Sequence, residues 1–215
     1  MNYLPCLILL LSLQLSLSGQ QNTALPQPEL ALKIAPLPLI DIFGGNAGIV
    51  SLEVGGMGRT AISLEMGLLY HSIGYGLQNN RGWILGIEWR QYFKKQAHRY
   101  IAVSCRYKSQ QYEFTETIDI PNVPTYEKDN AYTKQISTLS VLYGWQKVKV
   151  DKRFFVDAYA GLGIKYKDTM SLELTKMEES NRDNGDSQVL SLLNSTGKHL
   201  IPNPALGFRL GYLLK

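Results

Sequence analysis

Acidic and basic side chains recur at alternate positions inside otherwise apolar segments. The acids are Glu53, Glu65, Glu88 and Asp157, and the bases are Arg90, Arg106, Lys108, Lys165 and Arg209, with Lys33 a further member if the first segment keeps the alternation. Charges set among apolar residues can pair with one another, relay protons or activate a nucleophile. For the last of these, His71 and Ser72 adjoin, and Glu65 shares the parity of His71. A Ser–His dyad needs hydrogen-bond reach between the two side chains. Adjacent residues of an extended strand point to opposite faces, so this pair is separated rather than joined. The bland alternative is a rim histidine bonded to water or to an interior acid.

Other chemistry finds less support. Three histidines are scattered through the chain, and no zinc or other metal set emerges. "GGMGR" and "GYG" lack the strand-to-helix context of a phosphate loop and are expected to be turns. "EESNRDNGD" lacks the alternating ligands of a calcium loop and is expected to be a solvated segment. Cys105 has no neighbour in sequence that would lower its pKa, so it reads as an outward apolar residue. No cofactor is expected.

The elements that carry these residues are strands. "WILGIEWRQYF" places Trp83, Leu85, Ile87, Trp89 and Phe93 on one face and Gly86, Glu88, Arg90 and Tyr92 on the other. Eight such segments are expected, near 30–42, 47–55, 60–73, 82–93, 99–112, 134–148, 153–168 and 200–214. Most reach the ~9–11 residues that a tilted strand needs to cross a bilayer. The chain has 19 Gly and 13 Tyr, a profile suited to an all-β protein with many turns. Its net charge of +4 is too small to argue for nucleic acid.

Connections sort by rim. Those after strands two, four and six are short ("GMGR", "KKQAH", "KVDK"). Those after strands three, five and seven are longer, the last two spanning about 113–133 and 169–199, and of the odd connections only the first, "FGGN", is short. Short turns at one rim and long loops at the other is how outer-membrane barrels are organised. A water-soluble barrel has no reason to sort loops in this way.

The faces then decide which side is inside. One face carries Leu, Val, Ile and Met without charge. Its ends hold Trp83, Phe93, Tyr143, Trp145, Phe154, Tyr166 and Tyr212, as interfacial aromatic girdles require. The other mixes the charges with Ser, Ala and Gly, which suits a narrow eight-stranded interior where small residues make room for a few long ones. Charges enclosed in so small a space must pair, since each unpaired one would cost several kcal/mol. The expectation is an all-β, eight-stranded antiparallel up-and-down transmembrane β-barrel. Its tryptophans face lipid, and Glu53, Glu65, Glu88, Arg90, Arg106, Asp157, Lys165 and Arg209 form a charge network that plugs the lumen. A lipocalin-like periplasmic carrier would invert every assignment.

The N-terminus adds a compartment. Residues 1–18, "MNYLPCLILLLSLQLSLS", have the apolar core of a secretory signal, too short to span a bilayer as a helix. Residues 19–29 read as a linker and 30–215 as the barrel domain. Pro36 and Pro38 each remove a ladder donor from the first strand, marking either an open seam against strand eight or a shorter strand.

"LALKIAPLPLIDIF", "AGIVSLEV", "GMGRTAISLEMGLLY", "WILGIEWRQYF" and "NPALGFRLGYLL" together resemble small eight-stranded outer-membrane β-barrels of Gram-negative envelopes. They look closest to a domain family of unknown function in the outer membrane protein A-like barrel superfamily. The resemblance implies insertion by the barrel assembly machinery, guided by a C-terminal strand that here ends "GFRLGYLLK". It implies outer-membrane localisation, with membrane lipid and lipopolysaccharide as partners. The role expected is structural or interactive and non-enzymatic, exerted through the long loops, with Phe114 and Tyr126 as candidate contacts. Some eight-stranded outer-membrane barrels are lipid A-modifying hydrolases that use Ser, His and Glu, which makes that activity the enzymatic alternative.

Overall fold

The computed structural model describes residues 30–36, 47–55, 59–70, 78–93, 98–118, 124, 126–148, 153–172 and 197–214. The 1–18 signal, the 19–29 linker, Pro38, His71, Ser72 and most of the 169–199 loop lie outside these residues.

Eight strands follow one another: β1 (Leu30–Ala35), β2 (Ala47–Gly55), β3 (Thr60–Leu69), β4 (Gln78–Tyr92), β5 (Arg99–Ile118), β6 (Tyr126–Val148), β7 (Phe154–Ser171) and β8 (Gly197–Leu213). Each pairs antiparallel with the next, and β8 returns to β1, so the sheet is one ring in up-and-down order. Closure leaves no free edge over the paired span. Among the described residues, Ala31–Ile34 of β1 pair with Leu213–Leu210 of β8, and Leu214 N donates to Leu30 O.

Strand limits differ from expectation, most in three places, and β7 and β8 each run three residues further towards the long-loop rim, to Ser171 and from Gly197. β1 ends at Ala35 and Pro36 follows as a bend, while residues 37–42 of the expected strand lie outside the described residues. β4 starts earlier, at Gln78, where the register shifts between Gln78 and Arg81 and Asn79 takes a φ of 50°. Asparagine tolerates that left-handed conformation better than most residues. The third departure is the largest. The expected 113–133 loop is mostly sheet, because β5 and β6 stay paired out to Ile118 and Tyr126. Residues 114–118 and 126–130 thus form a two-stranded ribbon beyond the ring, past the last pairings of β5 with β4 and of β6 with β7. Tyr112 and Tyr132 stack at its base, with centroids 5.5 Å apart, and the Thr115 hydroxyl bonds Asp129.

Side-chain size fits the wall to its contents. Tyr100 and Gly144 are direct partners across β5 and β6, as are Tyr159 and Gly207 across β7 and β8. A Cβ on either glycine would fall within the ring of its partner tyrosine. Glycine here lets an aromatic ring lie over the neighbouring strand and fill the interior.

Gly144→Val is expected to displace Tyr100 and lower unfolding stability by about 1–3 kcal/mol, the usual cost of overpacking. Gly48→Ala, where an added Cβ meets nothing within 4 Å, should leave it nearly unchanged. Urea unfolding followed by tryptophan fluorescence measures both.

Candidate functional site: an ionic cluster at the centre of the ring

Alternation along each strand sends one set of side chains inward, and at mid-height that set is charged. Arg90 of β4 contacts Glu88 at 2.6 Å, Glu53 of β2 at 2.7 Å and Asp157 of β7 at 2.9 Å. Arg209 of β8 contacts Glu65 of β3 at 2.6 Å and Glu88 at 2.8 Å, with Asp157 at 3.5 Å. Arg106 of β5 reaches Glu65 at 2.7 Å. Lys33 of β1, the conditional member, bridges Glu53 at 2.6 Å and Asp157 at 2.9 Å. Seven of the eight residues expected in the network are therefore joined by ion pairs, and Lys33 joins them. The eighth, Lys165, is half-buried on the inward face of β7, in register with Thr138 and through it with Arg106.

Three neutral residues not assigned to the network complete its polar contacts. Tyr92 donates to Glu53 at 3.1 Å and to Gln146 of β6 at 2.7 Å, and Tyr100 donates to Asp157 at 2.7 Å. The tyrosine rings also serve the cations. The guanidinium of Arg90 lies 4.4 Å from the Tyr100 centroid, and that of Arg209 lies 4.3 Å from the Tyr159 centroid. Such stacking suits the weakly hydrated guanidinium plane. Tyr92 was legible, since it shares the parity of Glu88 and Arg90. Gln146 was not, because nothing in its own strand marks it.

Two features define the electrostatics. First, the ion pairs join four carboxylates, Glu53, Glu65, Glu88 and Asp157, to four cations, Lys33, Arg90, Arg106 and Arg209, so the formal charges cancel. Second, the members are almost wholly buried, with Arg106 alone leaving a third of its side chain exposed. Burying such ions costs several kcal/mol each, and mutual pairing with good geometry is what makes burial tolerable. Asp157 is the hub, touching Lys33, Arg90, Arg209 and Tyr100. The arrangement fills the ring at this level with buried, ion-paired side chains among the described residues.

The outer face is the complement. Leu64, Met66, Leu68, Val141, Leu162, Ile164, Leu206 and Leu210 are each at least half exposed. Aromatics bound this apolar band. Phe93 lies 6.2 Å from Tyr143, and Phe154 lies 5.0 Å from Tyr212, at the short-turn rim. Trp83, 5.1 Å from Tyr107, and half-exposed Tyr166 mark the other side, while Trp145 is half-exposed near the first. From Trp83 to Phe93 is ten residues, about 25 Å of height at ~3.3 Å per residue and ~40° tilt. Charges resume beyond the band, at Arg81 and Lys198 on one side and Arg99 and Lys147 on the other.

Trp89, expected to face out with the other tryptophans, is only 7% exposed. Its neighbours Glu88 and Arg90 point inward, so the indole keeps outward parity. It is covered on the outer wall, where its register neighbours are Ile62 and Val103. Of the candidate contacts, Tyr126 opens β6 in the ribbon and is half-exposed, whereas the Phe114 side chain lies outside the described residues. His71 and Ser72 also lie outside them.

Comparison with protein families, with curated proteins and with solved structures finds no match.

Asp157→Leu removes the hub and leaves three cations short of a partner. The expected loss is about 3–5 kcal/mol, the cost of breaking a buried pair from one side. The urea midpoint of the variant against the parent measures it.

Proposed function

We propose that the chain is an integral outer-membrane β-barrel with a charge-plugged interior, serving a structural or surface-interaction role. The observation that carries this reading is the inversion of polarity across the wall. Ionic side chains are enclosed, and a band about 25 Å tall of uncharged apolar side chains faces out between aromatic girdles. Such a surface in water would expose far more contiguous apolar area than monomeric soluble proteins carry. A hydrocarbon environment removes that cost, and the closed ring satisfies the backbone where no water can.

The lipocalin-like alternative needs the Leu and Val face inside around a lipophilic ligand, which is opposite to the observed burial. No observation favours the lipid A-modifying hydrolase, since His71 and Ser72 lie outside the described residues and Glu65 is paired with Arg106 and Arg209.

The plug argues against transport of solutes through the axis. An eight-stranded ring has room for side chains and little else, and here four ion-paired carboxylates fill its middle. Interaction then falls to the long-loop rim, where the β5–β6 ribbon projects beyond the band. Rigidly held projections of this kind commonly carry recognition. Insertion by the barrel assembly machinery and contact with lipopolysaccharide follow from the same reading.

Fractionation tests the proposal. The protein should resist salt and carbonate washes, require detergent for release, and shift in gel mobility on boiling. Release by salt alone would refute it. Orientation has its own test. In a Cys105→Ser background, Thr115→Cys on the ribbon should react with a membrane-impermeant maleimide in intact cells. Labelling only after lysis would place the ribbon in the periplasm.

A further inference from the structure

The two rims of the ring differ in charge. At the long-loop rim both signs mix: Arg81 and Lys198 stand among Glu113, Glu127, Asp129 and Asp168, with Asp168 opposite Lys198 across β7 and β8. At the short-turn rim the charged side chains of the described residues, outside the central cluster, are Arg59, Arg99, Lys147 and Arg153, all basic. Lys147 and Arg153 are exposed, and the other two are half-buried. The sequence of this rim agrees. "KKQAHR" and "KVKVDKR" together set seven Lys and Arg against one acid, Asp151.

Three of these charges sit on the aromatic girdle itself. Arg99 and Lys147 share the outward parity of Ile101 and Trp145, and Arg99 is the register partner of Trp145. Lys147 Nζ lies 5.9 Å from the Trp145 ring centroid. Arg153 Nη1 donates to the Tyr212 hydroxyl at 3.3 Å, and the Tyr212 ring packs edge-on against Phe154 with centroids 5.0 Å apart. Backbone bonds hold the segment that carries Arg99, from Phe93 N to Arg99 O at 3.0 Å and from Gln146 N to His98 O at 2.6 Å. β5 to β8 are consecutive in the ring, so the three basic heads form one arc.

A long basic side chain beside an interfacial ring lays its stem on apolar surface and keeps its charge at head-group height. Arg99 and Lys147 leave the wall sideways, in the plane where lipid heads lie. A soluble partner docking beneath the rim would instead be met by charges directed along the axis.

We propose that the β5–β8 arc of the short-turn rim binds the phosphates of anionic phospholipid heads in the leaflet it faces. Arg99, Lys147 and Arg153 supply the charge, and Trp145, Phe154 and Tyr212 pack against the glycerol region. Basic clusters next to a membrane-spanning segment attract such lipids, each charge adding to the attraction. The inference rests on the membrane reading above and confines the preference for lipid charge to one rim.

Tryptophan quenching of the full chain in reconstituted vesicles tests it. In a Trp83→Phe, Trp89→Phe background Trp145 is the one tryptophan left. The vesicles hold phosphatidylcholine and phosphatidylglycerol in equal amounts, with brominated chains on one lipid or the other. Brominated phosphatidylglycerol should quench Trp145 the more strongly, matching a relative affinity of roughly tenfold or more. Arg99→Gln, Lys147→Gln and Arg153→Gln together should abolish the excess while heat-modifiable mobility is kept. Salt gives a second reading that needs no charge substitution, because at about 1 M the Debye length falls to about 3 Å and the excess should collapse. Trp83, read alone at the opposite rim, should be quenched equally by both lipids. Equal quenching of Trp145 would overturn the proposal and leave the arc to an acidic soluble partner. An excess that survives the triple substitution or the salt would overturn it too, as would an equal excess at Trp83. A Trp145 that neither brominated lipid quenches would instead overturn the membrane reading itself.

Discussion

Charge enclosed in a narrow space must be cancelled there, and the rest of the structure follows from how this is done. Every strand contributes to the central cluster: Lys33 from β1, Glu53 from β2, Glu65 from β3, Glu88 and Arg90 from β4, Tyr100 and Arg106 from β5, Gln146 from β6, Asp157 from β7 and Arg209 from β8. The cluster thus ties the ring together across its diameter as well as around its wall. The tie spans the closing join as well: Lys33 of β1 bonds Asp157 of β7, two strands away across β8. Packing answers to the same demand, since Gly144 and Gly207 free the space in which Tyr100 and Tyr159 stack on the two central guanidinium groups.

Neutrality inside and hydrocarbon character outside are two aspects of one alternation. A slip of one residue in any strand would exchange them, exposing an ion to the outer band and burying a leucine against charge. The cost of that slip makes register strongly specified, even in strands whose inward faces are largely Gly, Ser and Ala. The ribbon formed by β5 and β6 escapes this constraint beyond their last pairings with β4 and β7, since polar residues occur at both parities of its sequence. There it is held by local contacts such as the Tyr112–Tyr132 stack.

Much of this could be read from the chain alone, for a definite reason. A period of two, turns of contrasting length and the segregation of charge to one parity are local properties, and they located eight strands, their order and the face each charge occupies. Strand limits were legible only where apolar alternation marked them. "QYEFTETI" and "YEKDNAYTK" pair as sheet although charged or polar residues interrupt both parities of each, which gives a loop-like pattern. Pairing partners inside were not legible, because they depend on the stagger of the ring: Glu65 meets Arg209 across 144 positions of sequence. The inclusion of Lys33 hung on the same stagger. The covered indole of Trp89 likewise reflects its neighbours on adjoining strands, which parity cannot report.

Nitroxide scanning in reconstituted vesicles tests the central inversion most directly. Labels would be placed singly along β3 at residues 62 to 68, in a Cys105→Ser background, and relaxed by oxygen and by a water-soluble nickel chelate. Residues 62, 64, 66 and 68 should favour oxygen strongly, with Ser63 and Gly67 protected from both, giving a two-residue period. Outward labels relaxed by the nickel chelate as fully as an exposed loop would place this face in water, and the account of an enclosed ionic core within hydrocarbon would fail.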